Sequence, residues 1–144
     1  YLRNLERPEL LGDPEIFPDE LYYTQRRVSP TDDVLRSTPE KGRYLVESYI
    51  DLVKSLWEEG IGELTWNWTI NTGMAEGDKM ILTDLDELTF SYQQVRDEVR
   101  AKKWTKQMSA NDGLRHFPDL RQYYLSRMDE EITERTLRHY WHAS

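Results

Sequence analysis

Leu64-Thr65-Trp66-Asn67-Trp68-Thr69-Ile70-Asn71, with the residues that follow it to Asp84-Leu85-Asp86-Glu87, is the stretch that decides the fold. Leu64, Trp66, Trp68 and Ile70 alternate with Thr65, Asn67, Thr69 and Asn71. That period of two predicts a strand with one apolar face and one face of small polar groups. Ala75-Glu76-Gly77-Asp78 predicts a turn and residues 79–83 a second, short strand, so one antiparallel hairpin is expected over 64–83. Antiparallel pairing returns Asp84 to the neighbourhood of Asn71. A carboxylate beside an amide oxygen is a hard-oxygen pair of the kind Mg²⁺ takes together with phosphate oxygens and water. Asp86 and Glu87 add negative charge at the same end. On residue chemistry alone the plainer reading is an acidic turn at the positive end of the next helix.

Helical periodicity flanks the hairpin on both sides. Thr38-Pro39 reads as an N-cap followed by Pro at the first helical position. Leu45, Tyr49, Leu52, Val53, Leu56 and Trp57 then recur at spacings of three and four, one apolar face of an amphipathic helix that Gly60 stops. After the hairpin, Ser91 with Gln94 suggests a capping box opening a second helix, with Phe90, Val95, Val99 and Trp104 turned inward. Ser109-Ala110-Asn111-Asp112-Gly113 reads as a loop. Pro118 opens a third helix carrying Leu120, Tyr123, Tyr124, Leu125 and Met128, and Thr133 caps a fourth with Leu137, Tyr140 and Trp141 on its apolar face. The resulting class is α+β, mostly helical, with one β-hairpin.

Residues 1–40 hold Pro8, Pro14, Pro18, Pro30 and Pro39, five of the six prolines, and cannot form one long helix. Leu21-Tyr22-Tyr23-Thr24-Gln25-Arg26-Arg27-Val28 interrupts them as a strand or extended connector, ended by Ser29-Pro30. This divides the chain into a Pro-rich arm over 1–40 and a helical unit over 41–144. The start at Tyr1 and the arm suggest part of something larger.

Composition removes several functions. Of 144 residues, 19 are Lys or Arg and 27 Asp or Glu, a formal charge of −8, so no basic stripe exists for nucleic acid or an anionic membrane. No apolar run approaches the roughly 18 residues that a membrane span requires. Cysteine is absent, which excludes a disulfide framework, a thiol nucleophile and a Cys-based zinc site, and agrees with a cytoplasmic location. Five Trp, nine Tyr and three Phe provide ring area enough for a core although only 38% of residues are hydrophobic. His116, His139 and His142 lack a nearby carboxylate partner and read as a solvated surface. No serine sits in a nucleophile elbow, and there is no Gly-rich phosphate loop. Asn67-Trp68-Thr69 matches the glycosylation triplet but lies within the expected strand.

Asn71, the hairpin, and then Ile81-Leu82-Thr83-Asp84-Leu85-Asp86 together resemble the catalytic-loop Asn and the metal-binding Asp-Phe-Gly segment of the protein-kinase-like fold. The likeness is to divergent bacterial-type relatives. It implies that residues 21–28 are the inter-lobe connector, the helix over 38–60 the long central helix of the C-terminal lobe, and residues 90–144 the remaining lobe helices. It also implies Mg²⁺ and ATP as ligands, with Asn71 and Asp84 holding the metal on the nucleotide phosphates. The position of the family's catalytic Asp is occupied by Trp66, which cannot accept a proton. Asp86 replaces the Gly of the metal motif, and the N-terminal lobe's Gly-rich loop, phosphate-pairing Lys and Glu partner are missing. The resemblance therefore implies a catalytically impaired lobe, partnered by a missing N-terminal lobe. The alternative is a non-catalytic protein–protein interaction domain. A third reading is a Mg²⁺- or Mn²⁺-dependent transferase clamping metal between Asp84 and Asp86.

Overall fold

The computed structural model describes residues 28–85, 87–105 and 113–142. Residues 21–27 of the expected connector, Asp86 and residues 109–112 of the expected loop lie outside them.

The helix read from the Leu45–Trp57 periodicity forms the centre. A turn of 3-10 helix at Pro39–Lys41 leads into α2, Gly42–Glu58, after a shorter α1 at Thr31–Ser37. Leu45, Tyr49, Leu52, Val53, Leu56 and Trp57 are all buried, as a 3.6-residue period requires. Gly60 ends α2 with φ 73°, and the amides of Gly60 and Ile61 donate to the carbonyls of Trp57 and Leu56. That paired capping needs a left-handed residue, which glycine supplies without a Cβ clash. Thr38 provides no side-chain cap, so the helix begins on proline geometry alone.

Among the described residues five short strands build two sheets. β1 (Ser29–Pro30), β3 (Thr72–Ala75) and β4 (Lys79–Leu82) form one antiparallel sheet in the order β1-β3-β4. β2 (Gly62–Glu63) pairs antiparallel with β5 (Leu88–Thr89). Between β2 and β3 lies a four-residue helix, α3, at Trp68–Asn71. Further helices among the described residues are α4 (Tyr92–Arg100), α5 (Pro118–Glu131) and α6 (Glu134–Tyr140), and residues 103–105 are helical as well. The α+β class and its helical predominance are as read from the sequence.

The expected strand over 64–71 is a correction: residues 64–67 are irregular and the hairpin spans Thr72–Leu82. The cause is local. Glu63 takes the amides of Thr65 and Trp66 on its carboxylate, and the Asn67 carbonyl takes the amides of Ile70 and Asn71, so these groups turn the chain instead of joining a ladder. Trp66 adopts φ 54°, a left-handed geometry no strand contains. Trp66 and Trp68 are buried as the alternation predicts, but Thr69 is buried as well and Ile70 is 55% exposed.

Two further expectations change. Residues 28–40 are not an irregular arm. β1 pairs with β3, α1 buries Leu35 completely, and Thr31 Oγ1 lies 2.7 Å from Thr72 Oγ1. Gly73 permits this approach, since a Cβ there would meet Val28 at 2.2 Å. Phe90 is 48% exposed rather than inward, because it precedes the N-cap Ser91, whose hydroxyl accepts the Gln94 amide. Thr133 caps α6 as the sequence suggests, and Thr136 returns a side-chain bond to the Thr133 amide that makes the cap a reciprocal box.

Candidate functional site at the open end of the hairpin

The strands bring two segments together. Thr72 pairs with Leu82, and one residue beyond, the Thr83 amide donates to the Asn71 carbonyl at 2.9 Å. On the other side the Leu64 amide donates to the Glu87 carbonyl at 3.0 Å, continuing the pairing of Glu63 with Leu88. Residues 64–71 and, opposite them, residues 83–85 and 87 are thus pinned to each other at both ends, as two arcs. Asn71 closes one arc and Asp84 opens the other, the juxtaposition expected from antiparallel pairing. Both are half-buried.

The first arc is organised by a carboxylate that the sequence reading passed over. Glu63 is 5% exposed. Its Oε1 accepts the Thr65 amide at 2.6 Å and the Thr65 hydroxyl, and its Oε2 accepts the Trp66 amide at 3.1 Å and the Tyr49 hydroxyl at 3.2 Å. Burial pushes the Glu63 carboxyl above the usual carboxylate range, and the bonds from Thr65, Trp66 and Tyr49 oppose this only in part. Burial, reinforced by the Glu63 charge, also raises Tyr49 and Tyr124 well above the ordinary tyrosine value. Beneath the arc Trp68 stacks on Tyr49 at 5.8 Å and meets Tyr124 at 5.7 Å between ring centres. The only sequence signal for Glu63 was an acidic residue between Ile61 and Leu64, which is too common to single out.

Thr65 carries the network onward. Its Oγ1 accepts the Asn67 amide at 3.2 Å and the Asn71 side-chain amide at 2.8 Å. Trp66 occupies the position where the kinase-like resemblance would set a base. It is 1% exposed, donates its indole N–H to Glu98 at 2.6 Å and meets Trp104 edge-on at 5.4 Å. These contacts hold a left-handed backbone that costs a non-glycine residue about 1–3 kcal/mol.

Among the described residues no group of three or more His, Asp or Glu converges as a metal cluster. His116, His139 and His142 are exposed. The expected pair, Asn71 and Asp84, offers one amide oxygen and one carboxylate, a donor set of the kind Mg²⁺ takes when it is bound mainly through phosphate and water. Among the described residues no helix is long and apolar enough to cross a membrane.

Fold and site together define an α+β unit, mostly helical, with a polar end built where the strands of a hairpin diverge. No family model matches the chain, and neither a curated protein nor a solved structure is similar to it.

Proposed function

We propose that the chain is a protein-kinase-like C-terminal lobe, catalytically impaired, that binds a nucleotide with Mg²⁺ through Asn71 and Asp84. The observation that carries this reading is the bond from the Thr83 amide to the Asn71 carbonyl, which sets Asn71 against the residue directly before Asp84. The element order supports it: a long central helix, an irregular segment closing in a four-residue helix that ends in Asn71, a hairpin, an Asp, and then helices. Impairment follows from Trp66, whose buried indole has no lone pair to accept a proton and gives its N–H to Glu98. The test is thermal. Mg²⁺-ATP at tenfold excess over its Kd stabilises by about 1.4 kcal/mol, a rise of roughly 4–6 °C in Tm for a chain of this size. Asp84→Ala and Asn71→Ala each abolish the rise. No shift with any nucleotide overturns the reading.

A non-catalytic protein-interaction domain is the second reading, favoured by the exposure of Tyr44, Ile70 and Phe90 at 50%, 55% and 48%. Under it, Ile70→Asp weakens capture of a protein partner and Asp84→Ala leaves capture unchanged. The Asp84-x-Asp86 transferase clamp would use Asp86, outside the described residues.

A further inference from the structure

Asn71 offers a cation either an oxygen or an NH₂ group, depending on which way its amide faces. Only the oxygen can ligate a metal, so a metal-binding Asn needs something to set that choice. The two ends of a carboxamide are alike in shape, and sterics alone set it poorly. Hydrogen-bond polarity sets it well, and here the polarity can be followed from one residue to the next.

An ionised carboxylate only accepts hydrogen bonds. Glu63 therefore draws the single hydroxyl proton of Thr65 onto its Oε1, which already holds the Thr65 amide at 2.6 Å. With that proton committed, Thr65 Oγ1 has only lone pairs left to offer. It accepts the Asn67 amide at 3.2 Å, and on its remaining lone pair it takes the Asn71 Nδ2 at 2.8 Å. An Asn71 amide turned the other way would set Oδ1 against an oxygen with no proton to share. Nδ2 is thus held toward Thr65, and Oδ1 is the end of the amide turned away from it.

We propose that Glu63, acting through Thr65, is the positioning residue that fixes the Asn71 amide with Oδ1 presented as the cation ligand. The relay rests on the reading of Asn71 and Asp84 as a Mg²⁺-nucleotide site. It adds a specific role to a buried acid that otherwise serves only to hold a loop. Neither Glu63 nor Thr65 touches the ligand.

The sharpest variant is Glu63→Gln, which keeps the size and most of the acceptors. A glutamine can donate its own N–H to Thr65 Oγ1, freeing the hydroxyl proton to turn toward Asn71 and stabilise the reversed amide. Thr65→Ser keeps the relay and Thr65→Val breaks it. Two measurements on the full chain separate the relay from the site: Mn²⁺-ATP binding by calorimetry, and the Asn71 side-chain amide resonances in nitrogen-15 NMR, assigned by their loss in Asn71→Asp. In the unsubstituted chain and in Thr65→Ser, one Asn71 amide proton is hydrogen-bonded and slow to exchange, and Mn²⁺-ATP binds equally well. In Glu63→Gln and Thr65→Val that protection disappears and affinity falls about tenfold or more, as for groups that orient a metal ligand from behind. Should Thr65→Val fail to fold, Glu63→Gln against Thr65→Ser carries the same comparison. Unchanged affinity in Glu63→Gln overturns the relay and leaves the site intact. Absence of Mn²⁺-ATP binding in the unsubstituted chain overturns the site, and the relay's role with it, even where the amide protection is found.

Discussion

Glu47 and Glu63 are surrounded by similar partners and behave in opposite ways. Each carboxylate accepts a tyrosine hydroxyl and several N–H or O–H donors. Glu47 receives Tyr123 at 2.7 Å and two guanidinium N–H groups of Arg127 at 2.8 and 2.9 Å, on the rim between α2 and α5. Glu63 receives Tyr49, the Trp66 amide and both donors of Thr65, with no cation beside it, under the loop. Arg127 holds the Glu47 carboxyl below its ordinary value, whereas burial lifts that of Glu63 above it. A similar number of hydrogen bonds favours the charged form in both places, but only at the rim does it outweigh burial. The difference lies in the lost hydration, which neutral donors replace only in part. The rim pair joins two helices that pack in any case. The buried acid shapes a loop that has no other reason for its path.

The largest way to break this comparison is Glu63→Ala. It leaves the Thr65 and Trp66 amides and the Tyr49 hydroxyl without their acceptor, and a loss of about 3–5 kcal/mol is expected in urea unfolding, since each buried unmet donor costs ~1–3 kcal/mol. A loss below 1 kcal/mol would show that the loop keeps its path without Glu63. Gly62→Ala tests the same strand from its other side. A Cβ there meets Val95 at 2.2 Å, and overpacking is expected to cost about 1–3 kcal/mol by the same measurement.

The pH dependence separates the two carboxylates by sign. A raised folded pKa means that the folded state binds the proton more tightly. The Glu63 contribution is therefore complete below its ordinary value of 4.5 and is lost as pH rises through its elevated pKa. For Glu47 the folded pKa is lowered, so its contribution is present above 4.5 and is lost as pH falls through the depressed pKa. Stability measured against pH should accordingly lose its decline above 4.5 in Glu63→Gln and its acid-side decline in Glu47→Gln. Identical profiles in the two variants would contradict the contrast. The smallest effect belongs to Arg127→Ala. The pair is partly exposed, with side-chain exposures of 26% and 37%, and surface ion pairs contribute about 0.5–1 kcal/mol.

Elements whose cause is local could be read directly. The central helix follows from Leu45–Trp57 spacing and its Gly60 stop, the third helix from Pro118, and the fourth from Thr133. The turn at Ala75–Asp78 follows from its residues, with Gly77 and Asp78 both at positive φ. The closeness of Asn71 and Asp84 was also legible, because it needs only a hairpin between them, and a strand that starts later returns the chain to the same place. The path of residues 64–67 was not. Its alternating tryptophans are buried for a reason other than a sheet: the segment folds over an aromatic core, so Trp66 reaches inward from irregular backbone and Trp68 from the start of α3. Nor was the role of residues 28–40, whose prolines correctly forbid a long helix but say nothing of a two-residue strand and a seven-residue helix packed on β3.

By itself the sequence determined the α+β class, the central helix with its Gly60 stop, the capped starts at Ser91 and Thr133, the hairpin turn and the places of Asn71 and Asp84 at the hairpin's open end. Each of these depends on residues within a few positions of one another, where periodicity and turn chemistry act. Tertiary structure alone decided that Glu63 is buried, that Thr65 lies between it and Asn71, and that Trp66 turns its indole toward Glu98. These outcomes depend on distant groups, Tyr49 and Trp104 among them, whose packing removes water from a carboxylate. The charge on Glu63 is written in the chain, but its surroundings exist only once the core has closed.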